Sequence, residues 1–256
     1  MRLTRKQILT RLGGSLLVLS GGRLSARAAA APRSGTSGRS RAVRTQLAMA
    51  IDTKACLQEQ GCTRCLAACH EAHNVPYLRN PAHRIDWIRE VPAESAFAAQ
   101  GRSLPAPLAG APVLVLCNHC DNPPCVPVCP TGATWKRETD GIVMMDWHRC
   151  IGCRYCMVAC PYGARSFNWV DPRQGIAHPN PDFPTRTDGV VEKCTFCSER
   201  LAQGQVPACV EVCPVKALVF GDVNDPASEI RKVLDSRPAI RRRPELGTGP
   251  NVYYLL

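Results

Sequence analysis

Aromatic residues make up only 5% of the 256 residues, so packing alone gives this chain a thin apolar core. Past residue 30 no stretch reaches 18 consecutive apolar residues, the length a membrane-spanning helix needs. No glycine-rich loop of the kind that cradles a nucleotide phosphate is present, which removes the common dinucleotide and phosphoryl-transfer classes. The formal charge of +11 is also less than it looks. The first thirty residues hold six basic side chains (Arg2, Arg5, Lys6, Arg11, Arg23, Arg27) and no acidic one, and without them the balance falls to +5. A nucleic-acid partner therefore has little support.

What the chain has in excess is cysteine: 16, alongside 22 proline and 19 glycine. Such a chain draws its order from cross-links or bound metal as much as from burial. The cysteines fall into four quartets: Cys56, Cys62, Cys65 and Cys69; Cys117, Cys120, Cys125 and Cys129; Cys150, Cys153, Cys156 and Cys160; and Cys194, Cys197, Cys209 and Cys213. Each ends in C-x3-C, and three run on into proline (Pro130, Pro161, Pro214). The third, CIGCRYCMVACP, is the full C-x2-C-x2-C-x3-C-P run that holds cubane [4Fe–4S] clusters in pairs. Three closely spaced thiolates on a tight loop reach three irons of one cube. The fourth, turned away by the proline, reaches the neighbouring cube. Four quartets thus predict two pairs of clusters.

Two other uses of cysteine fit less well. A disulfide framework rarely repeats C-x2-C four times over. Structural zinc takes four ligands from two such pairs and has no use for a C-x3-C-P tail. Four oxidised cubanes of about −2 each would also cancel the remaining positive charge.

The N-terminus reads as an address. Residues 1–28 combine a basic start, a short apolar stretch from Leu12 to Leu19 and an Ala26-Arg27-Ala28 cleavage site, the layout of an export signal. Thr4-Arg5-Lys6-Gln7-Ile8-Leu9-Thr10 resembles a twin-arginine motif with lysine in the second place, and a general secretory signal is the alternative. Residues 29–45, rich in Ala, Arg, Ser and Gly, read as a flexible leader.

The rest predicts an α+β fold of two bacterial-ferredoxin-like, two-cluster modules, with short strands, short helices and long loop insertions. Residues 113–170 form one module; 46–112 and 171–256 close the other around it. Three quartets share C-P-x-x-A, ending at Ala133, Ala164 and Ala217, and Asp52 and Asp146 each lie four residues before a first cysteine, so one supersecondary unit recurs. Thr134 to Asp146 predicts a hairpin turning at Asp140-Gly141. Val113–Leu116 predicts a buried strand, Ile85–Val91 another, and short helical turns should follow each Cys-Pro. The insertions at 78–112 and 171–188 either face a partner or pack over cluster edges. His70, His73 and His119 adjoin cysteines and suit packing or hydrogen bonding to a cluster better than proton coupling. Trp87, Trp135, Trp147 and Trp169 suit core or interface anchoring.

CNHCDNPPCVPVCPTGAT, RCIGCRYCMVACPYGARSFNW and EKCTFCSERLAQGQVPACVEVCP resemble the four-cluster iron–sulfur subunits of membrane-associated oxidoreductases, such as polysulfide, dimethyl-sulfoxide and nitrite reductase systems. The likeness spans roughly residues 46–256. Within that family GCTRCLAACHEAHNVP, RIDWIREV and GTGPNVYYLL are most similar to the DsrO-type branch, the periplasmic iron–sulfur subunit of a sulfur-metabolism membrane complex. The resemblance implies crossed ligand sets. Cys56, Cys62, Cys65 and Cys213 would hold one [4Fe–4S] cluster, and Cys194, Cys197, Cys209 and Cys69 its partner. Cys117, Cys120, Cys125 and Cys160 would hold a third, and Cys150, Cys153, Cys156 and Cys129 the fourth. The first quartet departs from the family: five residues separate Cys56 from Cys62, and His70 replaces the proline after Cys69. Three clusters is therefore the alternative to four. The resemblance further implies a periplasmic electron carrier with no substrate site of its own. Its partners would be a membrane-embedded, quinone-interacting (DsrP/NrfD-like) subunit, a multihaem cytochrome c and further redox subunits.

Overall fold

A computed structural model of the chain describes residues 44–59, 61–98, 104 and 108–256. The expected export signal and most of the expected leader lie outside the described residues. Strand β1 (Leu47–Asp52) organises the fold, because all four of its interior residues are buried. Met49 and Ile51 face the main core, while Ala48 and Ala50 face Ile230 on helix α7 (Glu229–Ser236). Alternation of large and small side chains thus lets one strand be covered on both faces.

β1 pairs antiparallel with β8 (Leu218–Asp222) and parallel with β10 (Val252–Leu255), which in turn pairs with β9 (Ala239–Ile240), in the order β8-β1-β10-β9. Residues 252–255 thereby cover one edge of β1, and just beyond it the Thr53 hydroxyl donates to the Leu255 carbonyl at 2.7 Å. Val252 and Tyr254 are fully buried, and a buried side chain of this size contributes about 1.5–3 kcal/mol. No stretch of the sequence announced this sheet; β9 and β10 are too short for a period to show.

Three two-stranded pieces surround it: β2 (Ile88–Pro92) with β3 (Pro112–Leu116), β4 (Thr134–Lys136) with β5 (Val143–Met145), and β6 (Ser166–Phe167) with β7 (Val191–Glu192). The 134–146 hairpin and the 113–116 strand stand where the sequence puts them. The expected strand from Ile85 begins only at Ile88. Short helices fill the connections: α1 (Thr53–Gln58), α2 (Arg64–His73), α3 (Ala93–Ala96), α4 (Tyr155–Ala159), α5 (Ser198–Ala202) and α6 (Ala208–Glu211). Among the described residues no helix is long and apolar enough to cross a membrane.

The helical turns expected after each Cys-Pro are not helices. Helices α4 and α6 precede Cys160 and Cys213, and each Cys-Pro leads into a single closed turn. In all three the third residue after the cysteine donates its N–H to the cysteine carbonyl at 3.3 Å (Gly132, Gly163, Lys216). That residue takes a left-handed φ of 62°, 57° and 50° respectively, which closes the turn and stops a helix from propagating. The largely exposed 171–188 insertion is anchored inward at a few points: Phe183 and Arg186 are buried, and Asn74 Nδ2 donates to the carbonyls of Asn180 and Phe183.

Candidate metal centres

None of the sixteen cysteines is joined in a disulfide. Cys56 sits on α1, Cys62 on the loop beyond it, and Cys65 and Cys69 on α2. Cys56, Cys62 and Cys65 line a small cavity together with Cys213, and Leu114, Pro214 and Leu218 complete its wall. Cys213 arrives there because α6 packs on α2. Cys117, directly after β3, shares a second small cavity with Cys120, Cys125 and Cys160, lined also by Asn118, Tyr162 and Arg165.

Of the remaining eight, Cys69, Cys194, Cys197 and Cys209 lie close enough for their charges to act on one another. Burial and then the charge of Cys69 and Cys197 push the thiols of Cys194 and Cys209 well up. Cys129, Cys150 and Cys156 pack with Ala133, Val143 and Met145 in one small core. Cys153 is half-buried on the loop after Gly152.

Burial raises eight of these thiols above their ordinary value. Burial first, then neighbouring cysteines, pushes Cys65 and Cys120 up to about 12. Crowded thiols of this kind hold their protons until a cation takes the proton's place. Cys129 is the exception: burial raises it, but the Thr131 hydroxyl and the N–H groups of Thr134, Thr131 and Ala133 outweigh burial and lower it. Further N–H groups point at sulfur: Phe196 to Cys194 (3.4 Å), Ala208 to Cys197 (3.4 Å) and Ala217 to Cys213 (3.2 Å). Each stabilises a thiolate.

Buried polar atoms without partners mark the same loops. Both side-chain atoms of Asn118, His119 Nε2 and Thr195 Oγ1 are buried and make no hydrogen bond among the described residues. Each lies between two cysteines of a C-x-x-C step. Leaving such a donor unpaired costs about 1–3 kcal/mol, and a sulfur-rich anionic group between those cysteines would pair it. The residues present therefore fit a cluster. His119 and Phe196 hold equivalent places in their C-x-x-C steps, both left-handed (φ 43° and 54°), and their rings stack with centroids 3.8 Å apart. His119 Nδ1 accepts from Val143 N–H at 3.0 Å, which puts the proton on Nε2. Burial, then the positive charge of Lys193, Arg165 and Arg137, holds the ring neutral.

His70 and His73 are tied in differently. His70 Nδ1 meets the Val75 carbonyl at 3.0 Å, and the ring stacks on Tyr77. His73 bridges the Cys69 carbonyl (2.9 Å) and Glu199 Oε1 (2.8 Å). Burial disfavours its charge, but Cys197, Cys69 and Glu199 overcome this and push it up to about 12. Of the tryptophans, Trp87 is buried and donates to Glu192 Oε2 at 3.0 Å, whereas Trp135 and Trp169 are exposed. Sequence reasoning missed Arg165, whose guanidinium donates to Cys125 Sγ at 3.0 Å. Its place immediately after the C-P-x-x-A repeat was the available signal.

Fold and site together define a ferredoxin-type iron–sulfur protein. Two family models described as 4Fe-4S dicluster domain match residues 113–174 and 149–217, which implies up to four [4Fe–4S] clusters; the first quartet lies outside both. The chain is 43% identical over 228 residues to the Hdr-like menaquinol oxidoreductase iron–sulfur subunit 1 of Archaeoglobus fulgidus, covering 81% of this chain and 82% of that one. It is 41% identical to a tetrathionate reductase subunit of Salmonella typhimurium (83% and 73% covered). It is 38% identical to the menaquinone reductase iron–sulfur cluster-binding subunit of Nitratidesulfovibrio vulgaris (81% and 87% covered). The chain belongs to this family of iron–sulfur electron-transfer subunits of membrane-linked oxidoreductases.

Proposed function

We propose that the chain relays single electrons through four [4Fe–4S] clusters between a membrane-embedded, quinone-interacting subunit and other redox subunits, a multihaem cytochrome c among them, on the periplasmic face. It would thus be the DsrO-like subunit of a sulfur-metabolism complex linked to dissimilatory sulfite reductase. The ligand sets are the crossed ones: Cys56, Cys62, Cys65 with Cys213; Cys194, Cys197, Cys209 with Cys69; Cys117, Cys120, Cys125 with Cys160; and Cys150, Cys153, Cys156 with Cys129.

The observation that carries this reading is Cys213 lining one cavity with Cys56, Cys62 and Cys65, across more than 140 residues of chain. A cubane takes up and returns one electron with little nuclear rearrangement. The protein's residues bind it through four thiolates, aim N–H groups at sulfur and exclude water from the buried loops; these levers set a potential. The Archaeoglobus relative is a menaquinol oxidoreductase subunit and the Nitratidesulfovibrio relative a menaquinone reductase subunit, which supports the quinone-linked assignment. The Salmonella tetrathionate reductase relative favours a second reading, the same relay serving a molybdopterin reductase of the polysulfide-reductase kind.

Anaerobic purification followed by iron and acid-labile sulfide analysis tests the relay. About 16 of each per chain is the expected result. About 12 would mean that the widened Cys56 site does not assemble, and iron near zero would end the reading. Capture of the tagged chain from its native membranes separates the two machines: a haem-staining band supports the first, and a molybdopterin-containing subunit the second.

A further inference from the structure

Among the described residues three guanidinium groups are buried, and they are balanced differently. Arg186 pairs with the Glu192 carboxylate at 2.7 Å. Arg242 lies beside the Tyr162 ring and donates to the Ala96 carbonyl. Arg165 is 5% exposed. It donates to Cys125 Sγ (3.0 Å), Thr134 Oγ1 (2.9 Å) and, weakly, Met145 Sδ (3.7 Å), with no carboxylate among these partners. Arginine stays protonated in proteins, and an uncompensated buried charge costs several kcal/mol. Arg165 therefore requires an anion where Cys125 stands. Burial opposes its charge, and the thiolates of Cys125, Cys156 and Cys117 favour it.

The repeat makes the position sharper. Thr134, Arg165 and Leu218 each follow the alanine of C-P-x-x-A. Thr134 and Arg165 occupy matching places in the two halves of the 113–170 module and hydrogen-bond to each other across it. One of the matched pair is a hydroxyl and the other a cation, so the local symmetry of the two halves is broken by a single fixed charge.

We propose that Arg165 is the counter-charge that raises the reduction potential of the centre held by Cys117, Cys120, Cys125 and Cys160, and less strongly that of the centre including Cys156. Reduction adds one electron and makes no bond; the guanidinium keeps its proton, and its fixed positive charge favours the more negative state. Arg165 acts through sulfur and is a positioning residue. The inference rests on the crossed ligand sets.

The test uses the full chain carrying Arg165→Gln, Arg165→Met or Arg165→Lys, with iron and sulfide per chain and a potentiometric titration followed by electron paramagnetic resonance. Cys125→Ser in a separate sample identifies the signal of the affected centre. The expected result is full iron content in Arg165→Gln and a tenfold or larger fall in the reduction equilibrium of that signal, about 59 mV per tenfold. Arg165→Met should shift it at least as far, and Arg165→Lys should stay near the native value. Midpoints unchanged in iron-replete Arg165→Gln would overturn the proposal. Loss of iron from both neutral variants would overturn it too, by making Arg165 structural. An unsubstituted chain without iron would instead sink the relay itself, so the two failures are distinguishable.

Discussion

Arg186 and Glu192 form an ion pair of 2.7 Å in which neither side chain has any solvent exposure. The pair knots four stretches of the chain together. Arg186 also donates to the carbonyls of Asn74 (2.8 Å) and Pro184 (2.9 Å), while Glu192 accepts from Trp87 Nε1 and Asn168 Nδ2. The guanidinium lies near the rings of Trp87, Trp147 and Phe183. The 171–188 insertion is thereby fastened to the end of α2, next to Cys69 and His73. Removing one partner of such a pair leaves an unbalanced buried charge, at a cost of about 3–5 kcal/mol. Glu192→Gln should therefore bleach much faster than the native protein in moderate urea, followed by the cluster absorption near about 400 nm. Arg186→Met combined with Glu192→Leu should recover a good part of that loss, because nothing charged is left behind. A Glu192→Gln protein as long-lived as the native one would contradict the account.

The left-handed residues of the cysteine loops give a prediction of opposite signs. Lys216 holds the place that glycine holds at 132 and 163, at φ 50°, so its Cβ is strained where the other two turns have none. Lys216→Gly should lengthen the lifetime of the folded, cluster-loaded protein, by about 0.5–1 kcal/mol after the backbone entropy of glycine is counted. Gly152 is different. At φ +69° a Cβ would stand 2.3 Å from the Gly189 carbonyl oxygen, a backbone atom that cannot swing aside. Gly152→Ala should cost about 2–4 kcal/mol. Unfolding rates of both variants, measured side by side under anaerobic conditions, check the two signs together.

The parts of this molecule legible in the sequence are those in which spacing is itself the chemistry. CIGCRYCMVACP must close on metal whatever surrounds it, and Asp140-Gly141 between two apolar runs must turn. Tertiary companions were not legible. β10 is four residues long, and its parallel pairing with β1 depends on a contact between the two ends of the described chain. Arg186 and Arg165 read as ordinary surface cations until the fold buries them. The C-P-x-x-A repeat was visible, but which residue of its turn is left-handed depends on a backbone hydrogen bond that no residue type announces, since Lys216 takes the place of a glycine. The repeat does pick out the position just after it, where Arg165 stands, but the contact with Cys125 Sγ exists only in the fold.

Asp52 supplies a test of pH dependence at the head of the first quartet. Its carboxylate accepts from the Ala55 N–H at 3.0 Å, capping the helix that bears Cys56, and it pairs with Arg237. The Arg237 hydrogen bond holds the acid below its usual range; burial opposes this, and the Ala55 N–H adds to it. A carboxyl depressed in the folded state contributes stability that is fully present above its unfolded value, about 3.9. That contribution is lost as pH falls through the folded value. Asparagine caps helices nearly as well as aspartate, so Asp52→Asn isolates the charge. Because Arg237 is partly exposed, the loss near pH 7 should be modest, about 0.5–1 kcal/mol. The gap between native and variant lifetimes should then narrow as the pH is lowered from about 6 to below about 4. Comparing the two proteins at each pH cancels the acid sensitivity that the clusters give to both. A gap that stays constant or widens on acidification would show that Arg237 does not hold the Asp52 charge.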